Sequence, residues 1–102
     1  MPYAVIYTPE AEDQLDALFR YIAQEASVAV ADRFTRALVD HCEGLAIFPH
    51  RGASRDDIRP GIRLTHYRGR AAIVFSVGAA QVVIIGIFYG GQDYERLLRV
   101  DD

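Results

Sequence analysis

The feature that most constrains this chain is a long apolar stretch near its end. Residues 81–89 read Gln-Val-Val-Ile-Ile-Gly-Ile-Phe-Tyr, an almost unbroken run of residues that favour β-strands. A strand-forming run without polar alternation predicts a central, buried strand. Gly90 and Gly91 end the run, and a short charged segment, residues 92–99, follows at once. The sequence therefore predicts a central strand that leads directly into a functional terminus.

Two amphipathic helices are predicted in the first half of the chain. Thr8 and Pro9 form a helix start, a hydroxyl N-cap with proline at the first helical position, and apolar residues then recur at helical spacing to about Glu25. Ser27 is the second predicted N-cap, and the second helix is expected to run toward Phe48, where a proline follows. Because this helix is apolar over half of its circumference, it requires two coverings, such as a sheet and the first helix.

Four strands complete the predicted fold. Residues 3–7 form a short β-rich run before the helices, and residues 62–67, 70–77 and 81–89 come after an arginine-bearing loop. This β-αα-βββ order predicts a single α+β domain over residues 1–102, with the helical hairpin packed on one face of a mostly antiparallel sheet. Whether the first strand lies beside the last one is left open.

The predicted core combines apolar helix positions that recur every three or four residues with apolar strand positions. Cys42, the single cysteine, falls within the apolar pattern of the second helix and is expected to pack as a small apolar residue. It excludes an internal disulfide and a cysteine-based zinc site. The side chains expected in the core are Leu15, Phe19, Ile22, Phe34, Leu45, Ile73, Phe75, Ile84 and Ile87.

Composition and charge exclude several classes of protein. The longest apolar stretch is far shorter than the roughly 20 residues that span a bilayer, and the first residues do not form a signal segment, so a cytoplasmic protein is expected. The net charge of −3 is unevenly spread, with a balance of −5 over residues 9–48 and +4 over residues 51–70. All 11 basic residues are arginines, which argues against a lysine general base or Schiff base and favours bidentate ion pairs.

Four short motifs give the chain a family resemblance. They are Thr8-Pro9-Glu10-Ala11, Phe48-Pro49-His50-Arg51-Gly52, Gly61-Ile62-Arg63 and Gly90-Gly91-Gln92-Asp93-Tyr94-Glu95-Arg96-Leu97-Leu98. Together with the β-αα-βββ order, they make nearly the whole chain resemble the ParE branch of the RelE/ParE toxin superfamily, found in bacterial plasmid-stabilisation and toxin–antitoxin pairs. The resemblance implies a toxin that inhibits DNA gyrase by binding, without a catalytic centre or a cofactor. It also implies a hetero-oligomer with a ParD-like antitoxin whose C-terminal segment wraps the toxin.

The other branch of the superfamily, similar to RelE, cuts messenger RNA on the ribosome with lysines and arginines along the sheet. This chain has no lysine, and the positions of two key arginines of that branch align with Ala72 and Gln92. The negative net charge also disfavours sustained binding to nucleic acid, so none is expected of the chain alone. Two alternatives stay open, a non-toxic binding protein of the same fold and a ribosome-dependent endoribonuclease. The arginines that such an enzyme would use are Arg59, Arg63, Arg68 and Arg70.

The residues predicted to contact the target lie on the second strand, at the hairpin turn and after the last strand. For the arginines the alternative is ordinary surface ion pairing, worth at most about 1 kcal/mol for each pair. For the segment after the last strand the alternative is a capped helical turn. The full set comprises Arg63, Arg70, Tyr89, Gln92, Asp93, Arg96 and Arg99.

A groove for an amphipathic antitoxin helix is predicted on the helical hairpin, because such helices bind through spaced apolar anchors. Its residues are Leu18, Tyr21, Val28 and Val39. The alternative is that the two helices cover each other. Three histidines, His41, His50 and His66, invite a general-base hypothesis, but the pattern places no two of them together with an acid, so neither a catalytic nor a metal site is predicted.

Overall fold

Two helices and five strands form the part of the chain that the computed structural model describes, residues 3–90. The elements in chain order are β1 (Ala4–Tyr7), α1 (Pro9–Glu25), α2 (Val28–Glu43), a 3-10 helix (Gly44–Ala46), β2 (Ala53–Ser54), β3 (Ile62–Tyr67), β4 (Ala71–Val77) and β5 (Gln81–Tyr89). The predicted β-αα-βββ order is confirmed, and the short strand β2 is an addition inside the predicted loop. Neither helix of this described part is long and apolar enough to cross a membrane.

The helices begin where the capping residues predict. The Thr8 hydroxyl accepts a hydrogen bond from the Ala11 N–H at 3.1 Å, and the Ser27 hydroxyl accepts one from the Val30 N–H at 3.1 Å. These contacts satisfy amide groups that have no partner within the helix.

The predicted extension of the second helix toward Phe48 is wrong. The regular helix ends at Glu43, and Gly44 begins a tighter 3-10 turn in which the Ile47 N–H donates to the Gly44 carbonyl at 3.2 Å. Phe48 therefore does not continue the apolar face of α2, and 59% of its surface is exposed. Glycine lowers the preference for a regular helix, and a short 3-10 turn is a common way for a helix to end.

The sheet has the strand order β1-β5-β4-β3-β2, with β1 parallel to β5 and every other pair antiparallel. The first strand thus lies beside the last one, and the mostly antiparallel sheet is confirmed. β3 and β4 are joined through Arg68 and Gly69, both with positive φ angles of 54° and 65°. Two consecutive residues of this kind are typical of the tight hairpin turn that the sequence predicts.

A β-bulge interrupts β5 opposite Val74 and Phe75. Phe75 pairs with Ile84 and Val74 pairs with Gly86, which leaves Ile85 without a partner on β4. Strict alternation along a strand would put Ile84 and Ile87 on opposite faces. The extra residue changes the phase, so both side chains enter the same buried cluster, as the predicted core requires.

Buried side chains lie on both faces of the sheet. The main core packs α1 and α2 against one face and includes six of the nine predicted core residues, Ile22, Leu45, Ile73, Phe75, Ile84 and Ile87. The other three, Leu15, Phe19 and Phe34, are only partly buried and pack against this core from the helices. A second cluster on the opposite face, formed by Ile58, Ile62, Leu64, Ala72, Val74 and Phe88, was not predicted. Ile58 reaches this face because the chain from β2 to β3 folds back over it, a contact that local patterning does not reveal.

Cys42 packs in the main core, with no exposed surface, as predicted. Burial raises the pKa of its thiol to about 12, so the reactive thiolate is scarce at neutral pH. The Tyr7 hydroxyl, which donates to the Glu43 carboxylate at 3.0 Å, also has a raised pKa, chiefly because of burial. Neither group is set up as a nucleophile.

Candidate functional site

An apolar groove lies between α1 and the end of β5. It is lined by Gln14, Ala17, Leu18, Tyr21, Ile87, Tyr89 and Gly90 and has a volume of about 390 Å³. The helix residues are spaced by three or four positions, which places them on one face of α1. Ile87 and Tyr89 are two residues apart on β5 and share a face of the sheet. The groove therefore forms where one face of α1 lies beside the last residues of β5.

Within the apolar groove, Leu18 forms the floor and Tyr21 the rim. Leu18 is buried, whereas 52% of the Tyr21 surface is exposed. The Tyr21 and Tyr89 rings lie 5.9 Å apart between centroids in a tilted arrangement. The structure thus brings together two residues predicted for the antitoxin groove and one predicted for the target surface.

A row of rings leads from the apolar groove across the sheet. Tyr89 lies 5.8 Å from Phe34, Phe34 lies 5.5 Å from Tyr67, and Tyr67 lies 5.4 Å from His41, each measured between ring centroids. The two contacts of Phe34 are edge-to-face, the geometry in which aromatic rings attract each other beyond their buried area. This row connects the apolar groove to a second depression.

The second depression, here called the arginine pocket, is lined by Val30, Arg33, Phe34, Ala37, Tyr67, Arg68 and Arg70 and has a volume of about 320 Å³. Its floor is apolar and aromatic, and its three guanidinium groups are exposed at the rim. The Arg68 guanidinium lies 5.5 Å from the centroid of the Tyr67 ring, within the range of a cation–π contact. No carboxylate from residues 3–90 lines the arginine pocket or forms an ion pair with its arginines.

Arg63, predicted as a target contact together with Arg70, lies in a different environment. Its Nη2 donates to the backbone carbonyl oxygens of His50 at 2.6 Å and Gly52 at 3.2 Å. Gly52 has a φ angle of +82°, and a Cβ atom at this position would overlap the carbonyl oxygen of Leu64. The Arg63 side chain therefore holds the loop after the 3-10 helix closely against β3.

The four residues predicted for the antitoxin groove do not share one surface. Leu18 and Tyr21 line the apolar groove, whereas Val39 lies in a separate depression of α1 and α2 with Leu15 and Phe19. Val28, the first residue of α2, has 65% of its surface exposed. Among the residues predicted for the target surface, Gln92, Asp93, Arg96 and Arg99 lie outside the described residues.

Sequence reasoning missed several residues of the site. Ala17 and Ile87 belong to the apolar groove, and their positions beside Leu18 and Tyr89 were signals that could have revealed them. Arg33 lies on the polar strip of α2 and carries no sequence signal for its place in the arginine pocket. It meets Arg68 and Arg70 only because α2 crosses the β3–β4 hairpin.

The histidines occupy three different environments. His41 is partly buried beside Tyr67, and its Nε2 atom is buried without a hydrogen-bond partner. Burial and, secondarily, the positive charge of Arg51 lower the pKa of His41. His50 and His66 are exposed. Among residues 3–90, no group of three His, Cys, Asp or Glu side chains is placed to hold a metal ion.

Comparisons with known proteins agree on the fold. The family model described as "ParE toxin of type II toxin-antitoxin system, parDE" matches residues 5–94. No curated protein sequence matches the chain. The chain is similar in structure to the chromosomal ParDE toxin–antitoxin system from P. aeruginosa, with a TM-score of 0.75 and 22% identity over 86% of this chain and 96% of that one. It is also similar to the RelBE2 toxin–antitoxin complex from Mycobacterium tuberculosis, with a TM-score of 0.64 and 23% identity over 87% and 99% of the two chains.

Proposed function

The chain belongs to the ParE toxin family of type II toxin–antitoxin systems, and from this premise we propose that it inhibits DNA gyrase by binding it and is neutralised by a ParD-like antitoxin. The observation that carries the proposal is the extent of the family match, which covers residues 5–94 and therefore includes both helices and all of the described strands except Ala4, the first residue of β1. The toxin would act in the cytoplasm, where gyrase is found, and form a hetero-oligomer with its antitoxin.

The apolar groove supports the antitoxin part of this proposal. Amphipathic helices bind by placing apolar side chains, spaced by three or four residues, into an apolar depression. Leu18 provides a buried floor and Tyr21 an exposed aromatic rim, and tyrosine is among the residue types enriched where binding energy is concentrated. Val28 and Val39 would then make contacts away from this groove, with other parts of the antitoxin.

The target surface would begin at the end of β5 and include Tyr89, Arg70 and the segment that carries Gln92, Asp93, Arg96 and Arg99. The Gly90 N–H donates to the Arg70 carbonyl at 3.1 Å, so the start of this segment is tied to the β3–β4 hairpin. Arg63 would contribute through the loop that it holds. The proposal involves binding throughout and assigns no catalytic step to the chain.

The arrangement of the arginines does not support the ribonuclease alternative. Arg63 and Arg68 mark the two ends of β3, five residues apart and thus separated by roughly 16 Å at about 3.3 Å per residue. Arg63 is also engaged by two backbone carbonyls. Arg63 therefore does not join Arg68 and Arg70 at one point where a phosphodiester could be cleaved.

A supercoiling assay tests the proposal. Purified gyrase, relaxed plasmid and ATP are combined with the folded protein, with and without the antitoxin encoded beside it. We expect supercoiling to be inhibited and the antitoxin to restore it. The same preparation is added to a translation reaction in which messenger RNA cleavage is measured. Undiminished supercoiling together with ribosome-dependent cleavage would refute the gyrase proposal in favour of the endoribonuclease.

A further inference from the structure

The arginine pocket combines three cationic side chains with an apolar floor. Arg33 comes from α2, and Arg68 and Arg70 come from the turn between β3 and β4. Val30, Phe34 and Tyr67 form the floor between them. Because none of the three arginines is paired with a carboxylate of residues 3–90, their charges are available to an anionic partner. Arg36, by contrast, is exposed on α2 and already has Asp32 as its carboxylate partner.

The chemistry of the arginine pocket favours carboxylates. Guanidinium groups bind carboxylates through paired hydrogen bonds, and the apolar floor limits competition from water. A nucleic acid would present a continuous row of phosphates and usually requires an extended basic surface. This chain carries a net charge of −3, and its basic residues at this site are confined to one depression of about 320 Å³. A peptide with a few acidic side chains matches that size better.

The arginine pocket also adjoins the apolar groove. Tyr89 lines the groove, Phe34 lines the pocket, and the centroids of their rings are 5.8 Å apart. One continuous surface thus offers apolar contacts at one end and positive charge at the other. We propose that the arginine pocket binds the carboxylates of an acidic peptide segment of the antitoxin, whose neighbouring apolar side chains fill the apolar groove. The antitoxin would thereby cover Arg70 and Tyr89, which also belong to the proposed target surface. The identity of the partner rests on the proposed function, whereas the preference for acidic peptide rests on the pocket itself.

A labelled peptide tests the pocket directly. Fluorescein-labelled hexaglutamate is titrated into the full-length protein at low ionic strength, where exposed charges are least screened, with hexaglutamine as the neutral control. The double variant Arg33→Gln/Arg70→Gln is compared with Arg20→Gln/Arg36→Gln, which removes the same charge from exposed sites outside the pocket. We expect about a tenfold loss of affinity in the first variant, because it removes two of the three arginines that would pair with the peptide together. We expect less than about a twofold loss in the second variant, because its two arginines lie outside the pocket.

Several outcomes would overturn the proposal. These are absence of hexaglutamate binding to the folded, unsubstituted protein, and equal losses in the two double variants. Tighter binding of a thymidine hexanucleotide that displaces the peptide would assign the pocket to nucleic acid. If hexaglutamate bound only after the substitutions Asp101→Asn and Asp102→Asn, the occupant of the arginine pocket would be these two aspartates of the same chain and not a partner's peptide. Because these experiments contain neither gyrase nor antitoxin, a negative result would leave the supercoiling assay as an independent test of the proposed function.

Discussion

The side-chain oxygen of Gln14 accepts a hydrogen bond of 2.7 Å from the backbone N–H of Ile87. This contact joins α1 to β5. Thr8, the N-cap of α1, binds β5 slightly earlier along the strand: its N–H donates to the Ile84 carbonyl at 3.0 Å, and its hydroxyl donates to the Ile85 carbonyl at 3.1 Å. Three backbone polar groups of the bulged segment, the Ile84 and Ile85 carbonyls and the Ile87 N–H, are thus satisfied by Thr8 and Gln14 at the start of the helix. The apolar groove forms beside this junction.

Replacing Gln14 with leucine should destabilise the protein. The substitution keeps the side chain's size but removes the acceptor, which leaves the Ile87 N–H without its partner and costs about 1–3 kcal/mol. The free energy of unfolding in urea measures the effect. Gln24→Leu is the matched control, because Gln24 is exposed on the same helix. Equal unfolding free energies for the two variants would show that the hydrogen bond does not stabilise the junction.

Gly86→Ala should also destabilise the protein. A Cβ atom at Gly86 would lie 2.6 Å from Cε2 and 2.9 Å from Cζ of Phe88, a buried ring of the second cluster. Displacing that ring is expected to cost about 1–3 kcal/mol. At Gly44, where a Cβ would meet no atom within 4 Å and the backbone is helical, alanine should be neutral or stabilise by about 0.4–1 kcal/mol. Thermal unfolding of both variants provides the comparison, and a stable Gly86→Ala variant would contradict the steric argument.

Arg63→Ala should loosen the loop that follows the 3-10 helix. The variant loses the hydrogen bonds to the His50 and Gly52 carbonyls, for an expected cost of about 2 kcal/mol. Hydrogen exchange of the amides in residues 50–52 should accelerate, whereas Arg20→Ala, at an exposed site of α1, should change neither exchange nor stability.

The same Arg63→Ala variant separates a positioning role from a direct target contact. If gyrase inhibition decreases while loop exchange and stability remain unchanged, Arg63 contacts the target itself. If all three change together, its role is to hold the loop.

Stability should fall below neutral pH in a way that depends on His41. Burial and then Arg51 lower the pKa of His41 in the folded protein below its ordinary value of 6.5. The unfolded chain therefore binds a proton more readily, so the stabilising contribution is present above the unfolded pKa and is lost as the pH falls toward the folded pKa. An NMR titration should give His41 a pKa below 6.5.

His41→Gln provides the corresponding stability measurement. Urea unfolding between about pH 5 and pH 7, where histidine ordinarily titrates, should be less pH-dependent in this variant than in the unsubstituted protein. His66→Gln, at an exposed site of β3, is the matched control for removal of a histidine. An unchanged pH profile in His41→Gln would show that other groups cause the loss of stability.

Tyr21→Ala should weaken antitoxin binding more than Val39→Ala. Tyr21 forms the exposed rim of the apolar groove, and truncating an aromatic anchor typically costs about 2 kcal/mol of binding free energy. Val39 lies in the separate depression on the helices. Calorimetric titration with the antitoxin measures both affinities, after circular dichroism has established that the variants are folded. A larger loss for Val39→Ala would place the main antitoxin contact on that other surface.

The elements that the sequence predicts well are those whose determinants are close together in the chain. Thr8 and Ser27 cap helices that begin one residue later, and Arg68 with Gly69 forms the turn between two strands. Even the end of α2 depends on a local signal, Gly44, although the apolar pattern of the sequence continues to Phe48.

The amino-acid sequence by itself determined the order of the elements, most of their bounds, the α+β architecture and the family, because caps, turns and periodicity act over a few residues. Only the tertiary structure decided which side chains share a surface. The bulge at Ile85 puts Ile84 and Ile87 on one face, and α2 brings Arg33 to the hairpin of Arg68 and Arg70. These relationships depend on contacts between residues far apart in the chain. A small change in strand register, or in the angle at which a helix crosses the sheet, alters which side chains meet.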